Sequence, residues 1–190
     1  LLYPLLHNGY TRSVPPLVYS DITGEEYCQK GYIDQENSEY CQPEPVNRLF
    51  LINGQAFGEP DTEPIQVDAE QTEDWTLINQ TKAHHTFHIH QTHFVVTEYE
   101  NNPDAPTEIY QPTESPRLPI GELTYRDNID LPPGQQVKVR IPFAQTQEIV
   151  TGGEDKGEFV FHCHILAHED LGMMRKVCAS NGASVPCPED

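Results

Sequence analysis

Apolar residues in this chain recur in short bursts with a period of two, and no run carries the period of a helix. Side chains on a strand alternate between two faces, so such alternation marks a half-buried strand. The cleanest case is Val137-Lys138-Val139-Arg140-Ile141. Further strand candidates are Leu49–Ile52, Ile65–Val67, Trp75–Asn79, Phe94–Thr97 and Glu158–His164. The glycines of Gly152-Gly153-Glu154-Asp155-Lys156-Gly157 predict a turn just before the last of these. Asn101–Glu122, rich in Pro and acids, predicts a long surface loop of the kind that shapes a substrate site. Residues 1–47 are rich in Tyr, Pro and acids and keep no steady period. Short strands in series therefore predict an all-β Greek-key sandwich over residues 48–180. An irregular extension, 1–47, would precede it and a tail, 181–190, would follow.

Length and composition narrow the class. At 190 residues the chain is sized for one domain, and its 17 prolines suit turns and short strands. Thirty acidic residues against 11 basic ones give a net charge of -19, which argues against nucleic acid as a partner. The acids are dispersed, as on a solvated surface. No apolar run approaches the ~20 residues that span a bilayer. Leu1–Leu6 has neither an initiator Met nor the basic and long apolar regions of a signal peptide, so the chain reads as starting inside a longer polypeptide.

The chemistry concentrates near the C-terminus. In Phe161-His162-Cys163-His164-Ile165-Leu166-Ala167-His168-Glu169-Asp170-Leu171-Gly172-Met173-Met174 two imidazoles flank a thiol, and a further imidazole and thioethers follow. Two His, one Cys and a weak axial Met are the ligands of a blue copper electron-transfer site. Strand parity sends His162 and His164 to one face and Cys163 to the other. A second cluster, His85-Thr86-Phe87-His88-Ile89-His90, pairs His88 with His90 and turns His85 away. His85 and His168 supply the two imidazoles that a blue copper site needs. His88, His90, His162 and His164 remain, more than such a site can use. His7, His84 and His93 fall outside the pattern, with His84 placed to sit beside the site.

These motifs resemble the C-terminal domain of multicopper oxidases, the laccase family, over about Arg48–Val177. Phe50-Leu51-Ile52-Asn53-Gly54 and Tyr125-Arg126-Asp127-Asn128-Ile129-Asp130-Leu131-Pro132-Pro133-Gly134 belong to the resemblance. The ending His168-Glu169-Asp170 with Met173-Met174 looks most like bacterial spore-coat laccases and bilirubin oxidases. The resemblance implies a cupredoxin-like (plastocyanin-like) sandwich. It implies His85, Cys163, His168 and axial Met173 as type 1 copper ligands, His88 on type 2 copper, and His90, His162 and His164 on the type 3 pair. Four coppers would complete an active site. His168 would take electrons from a phenolic or aromatic-amine substrate, Cys163 would pass them on, and Glu169 would assist proton delivery as O2 becomes water. The family holds its trinuclear cluster with four His-X-His pairs, and this chain contains two. An N-terminal cupredoxin domain or partner chain is therefore expected to supply the others. The alternatives are a blue-copper electron carrier, a nitrite-reductase-like protein and, within the class, a bilirubin oxidase or metal-ion oxidase.

Four cysteines remain besides Cys163: Cys28, Cys41, Cys178 and Cys187. Local pairs, Cys28/Cys41 and Cys178/Cys187, are the simplest of three possible connectivities, the second pair tethering the tail. Disulfides predict a secreted or periplasmic setting.

Overall fold

The computed structural model describes residues 11–31, 33, 35–59, 62–69, 71–105, 124–143 and 157–180. Eleven strands and two short helices are described among them. In chain order these are β1 (Thr11–Ser13), β2 (Leu17–Ile22), helix α1 (Gly24–Cys28), β3 (Leu49–Ile52), β4 (Ile65–Asp68), β5 (Thr72–Asn79) and β6 (His85–Ile89). Then come β7 (Val95–Asn101), β8 (Asn128–Leu131), β9 (Gln135–Pro142), β10 (Glu158–Cys163), helix α2 (Leu166–Glu169) and β11 (Met174–Ser180). One sheet runs β3-β2-β5-β9-β7, with β1 also pairing β5. The other runs β4-β11-β10-β6-β8. The all-β sandwich read from the alternating pattern is the fold observed.

Residues 11–22 add to the expected picture. The stretch after Ile22 is irregular apart from α1, but β1 and β2 run parallel to β5 and join the first sheet. Parallel pairing between distant segments leaves little local signal. The Cys28–Cys41 disulfide is present. Cys178 is also disulfide-bonded, and its expected partner Cys187 lies outside the described residues. So do His7, most of the Asn101–Glu122 loop and residues 152–156 of the predicted turn. Among the described residues no helix is long and apolar enough to cross a membrane.

Aromatic rings hold the sheets together. Trp75 of β5 is fully buried and lies 5.5 Å from Phe161 and 6.5 Å from Phe87, both on the opposing sheet. On β9, Val137, Val139 and Ile141 are buried while Lys138 and Arg140 turn outward, as the alternation requires. On β6 and β10 the inner face carries Phe87, Ile89, Phe161 and Cys163, all buried. Their neighbours in sequence consequently project from the outer face.

One charged group breaks the apolar pattern. Glu73 is fully buried, and Trp75 Nε1 donates to its Oε2 at 2.9 Å. Among the described residues its Oε1 has no hydrogen-bond partner; the Arg12 guanidinium stands 3.8 Å away. Burial raises the carboxyl above its ordinary 4.5, against the pull of Trp75 and Arg12. The protonated form thus favours the folded state, an advantage present below the unfolded-state value and lost as pH rises through the folded-state value. Glu73→Gln keeps an acceptor for Trp75 and carries no charge. Urea denaturation across pH should show wild type losing stability relative to this variant as pH climbs from about 4.5 upward. Parallel curves for the two proteins would refute the buried-carboxyl account.

Candidate metal centres

Two histidine clusters meet because β6 pairs antiparallel with β10. His88 lies directly opposite His162, and Phe87 opposite Cys163. Opposed residues share a face, so Cys163 goes inward with Phe87 while His162 goes outward with His88. The chain then turns through α2. His168 N donates to Ile165 O at 2.8 Å and Met173 N to His168 O at 3.0 Å. The loop is closed by Cys163 N donating to Met173 O at 3.0 Å. This return carries His168 back beside Cys163.

The inner cluster is a triangle. His85 Nδ1 lies 3.1 Å from His168 Nδ1, and the Cys163 sulfur lies 3.6 Å and 3.7 Å from these atoms. An ion about 2.0–2.1 Å from each nitrogen and about 2.3 Å from sulfur fits within such edges. His85 and Cys163 are fully buried and His168 is half-buried. Met173 is fully buried in the same core cluster as Cys163. Burial pulls the His85 imidazole down to about 3, with His168 and His84 adding to it, so the ring is neutral and available as a ligand. Burial and the Arg48 guanidinium lower His168, against Asp21. Burial pushes the Cys163 thiol up, while the main-chain N–H of Thr86, 3.4 Å from sulfur, pulls it down. A metal cation would displace that proton.

The outer cluster is a group of four imidazoles. Ring centroids of His88 stand 5.0 Å from His90, 5.2 Å from His162 and 5.0 Å from His164. His162 and His164 are 5.5 Å apart. His90 Nε2 approaches His162 Nε2 to 3.1 Å. His88 Nδ1 donates to Asp127 O at 2.9 Å, which leaves Nε2 free to ligate. His162 Nδ1 lies 3.1 Å from Glu169 Oε2 and 3.2 Å from Cys163 O. Burial, followed by His162 and His88, lowers His90. His88 and His90 line an open cleft with Thr92, His93 and Asp127. Both clusters offer imidazole nitrogen donors, and one adds a cysteine sulfur, a donor set that suits copper.

Glu169 reaches the outer cluster through His162. His84 does not point at the triangle: its exposed ring meets Asp130 at 3.4 Å. His93 lines the outer cleft. Sequence reading missed Phe50, whose ring stacks on His168 at 3.9 Å and 28°. Arg48 lies over Phe50 at 5.9 Å and pairs with Asp21 at 2.5 Å. It also missed Thr81, 2.7 Å from His85 Nε2. Only its place four residues before His85 could have drawn attention to it.

The multicopper oxidase family model matches residues 29–183. The chain belongs to the multicopper oxidase family. It is 31% identical to a laccase of Bacillus subtilis over 146 residues, which cover 72% of this chain and 24% of that protein. It is 32% identical to the multicopper oxidase mco of Staphylococcus haemolyticus over 142 residues, covering 73% and 26%. The chain thus spans about a quarter of the length of the curated relatives it matches. Among solved structures, a Campylobacter jejuni multicopper oxidase described as a metallo-oxidase superposes with TM-score 0.56 at 21% identity, covering 90% of this chain and 31% of that one. A blue copper oxidase from Nitrosomonas europaea gives 0.54 at 18%, covering 92% and 45%. These two likenesses describe the fold.

Gly172 makes the return from α2 possible. Its φ is +100°, and a Cβ there would stand 2.9 Å from Ala56 Cβ and 3.2 Å from Phe50 O. Gly172→Ala should destabilise the chain by roughly 1–3 kcal/mol through backbone strain and overpacking. Chemical denaturation would test this; an unchanged midpoint would contradict it.

Proposed function

We propose that this chain is the type 1 copper domain of a laccase-like multicopper oxidase and contributes half the ligands of its trinuclear cluster. The observation that carries the reading is the buried triangle of His85 Nδ1, Cys163 Sγ and His168 Nδ1. These residues would hold type 1 copper, with Met173, buried in the same core, as a further weak donor. His88 would bind type 2 copper, and His90, His162 and His164 would bind the type 3 pair. Four coppers complete the site, and an N-terminal cupredoxin domain or partner chain supplies two further His-X-His pairs. When bound, the copper centres supply one-electron oxidation of a phenolic or aromatic-amine substrate and four-electron reduction of O2 to water.

The chain's own residues divide the work. His168 is the point of entry, since it is half-buried whereas His85 is sealed in the core. Its Nε2 has no hydrogen-bond partner among the described residues, so that ring edge is left for a substrate. Cys163 lies one bond-linked strand step from His162 and from His164, which gives a short covalent path between the two clusters. Glu169 holds His162 Nδ1 at 3.1 Å and is placed to pass a proton along the outer face. An electron carrier would leave the four outer imidazoles without a task. The Cys28–Cys41 disulfide fits a secreted or periplasmic setting.

Cys163→Ser is the direct test. A thiolate bound to copper is the source of the intense blue absorption, so the copper-loaded variant should lose that band, and the assembled oxidase that contains it should lose phenol oxidation, while the fold is kept by circular dichroism. A blue band surviving in folded variant protein would overturn the assignment.

A further inference from the structure

Next to the triangle lies a closed set of hydrogen bonds that none of the roles above uses. Asn79, at the end of β5, is fully buried. Its Nδ2 donates to the carbonyls of Ala83 and Leu131, each at 2.8 Å. Its Oδ1 accepts from Thr81 N at 2.8 Å and from Thr81 Oγ1 at 2.9 Å. Reversing the amide would set NH2 against the Thr81 N–H and oxygen against two carbonyls, so its orientation is fixed. Thr81, also buried, accepts from Ala83 N at 3.1 Å and lies 2.7 Å from His85 Nε2.

The neighbouring oxygens favour one direction for that last bond. A hydroxyl carries one proton and two lone pairs. Asn79 Oδ1 at 2.9 Å and Ala83 O at 3.2 Å can only accept, so a Thr81 proton turned to His85 would leave Oγ1 facing both oxygens with no proton between them. One lone pair receives the Ala83 N–H. With the Thr81 proton on one of those oxygens, its other lone pair faces His85 and Nε2 donates. His85 Nδ1 is then left with its lone pair directed at the triangle, 3.6 Å from Cys163 Sγ.

We infer that Thr81, anchored by Asn79, is a positioning residue that locks His85 in its Nε2–H tautomer and so presents Nδ1 to copper. The inference rests on the type 1 reading above. A ring free to move its proton would spend part of its time with Nδ1 blocked, and it could rotate away. A hydrogen bond on the far nitrogen fixes both tautomer and ring plane. The clasp also ties down the turn between β5 and β6, so His85 enters its strand in register with Leu131.

The test uses copper-free protein labelled with 15N-histidine. Long-range 1H–15N spectra read each ring's tautomer directly. His85 should be Nε2–H in wild type and in Thr81→Ser. In Thr81→Val it should shift to a mixture or to Nδ1–H, and type 1 copper affinity should fall roughly 10–100-fold, with Thr81→Ser restoring it. Wild-type His85 found as Nδ1–H, or Thr81→Val with native tautomer and affinity, would overturn the inference. Should Thr81→Val not fold, the wild-type tautomer alone still decides. A wild-type protein that binds copper without a blue band would instead overturn the type 1 reading, which the tautomer measurement does not touch.

Discussion

The alternation of side chains along β10 is the constraint on which the rest depends. Because neighbours on a strand face opposite ways, Cys163 enters the sandwich core while His162 and His164 emerge outside it. One strand thus serves a buried donor triangle and an outer imidazole cluster. Antiparallel pairing with β6 repeats the division, with His85 inside and His88 and His90 outside. A slip of one residue in that register would exchange the two faces and dismantle both clusters. The aromatic contacts of Trp75 with Phe87 and Phe161 make such a slip costly, since they interlock the sheets at the same strands.

Burial then sets the chemistry of the donors. In the core, burial disfavours the charged forms: it lowers the imidazoles of His85 and His168 and raises the Cys163 thiol, whose proton a bound cation would displace. The two histidines of the triangle are treated differently. His85 is enclosed and held from behind by Thr81, whereas His168 rides on the short α2 turn under the ring of Phe50. One is placed for rigidity and the other for access. Gly172 connects these demands, because only a residue free to take positive φ can bring the chain from α2 into β11 so abruptly.

Much of this was legible in the sequence. Period-two alternation marked β9 and β10, and the His-X-His and His-Cys-His spacings gave the division of donors between faces by parity alone. The resemblance of those motifs to the multicopper oxidases is matched by family membership over residues 29–183. Other features escaped for physical reasons. Strands β1 and β2 gain their order from parallel pairing with the distant β5, not from a pattern of their own. The Thr81 clasp and the Phe50 stack arise where loops fold back on the site, and residue types such as Thr and Phe carry no distinctive metal signal. The outward turn of His84 depends on Asp130, a contact between strand neighbours that the sequence order does not reveal.

The central claim is that one face of this chain is a complete type 1 site and the other is an incomplete cage. Copper titration of the purified 190-residue chain, followed by visible absorption and electron paramagnetic resonance, tests both halves at once. The account predicts one tightly held copper per chain with an intense thiolate-to-copper band, and no stable trinuclear cluster. Copper bound without that band, or a full set of four held by this chain alone, would contradict it.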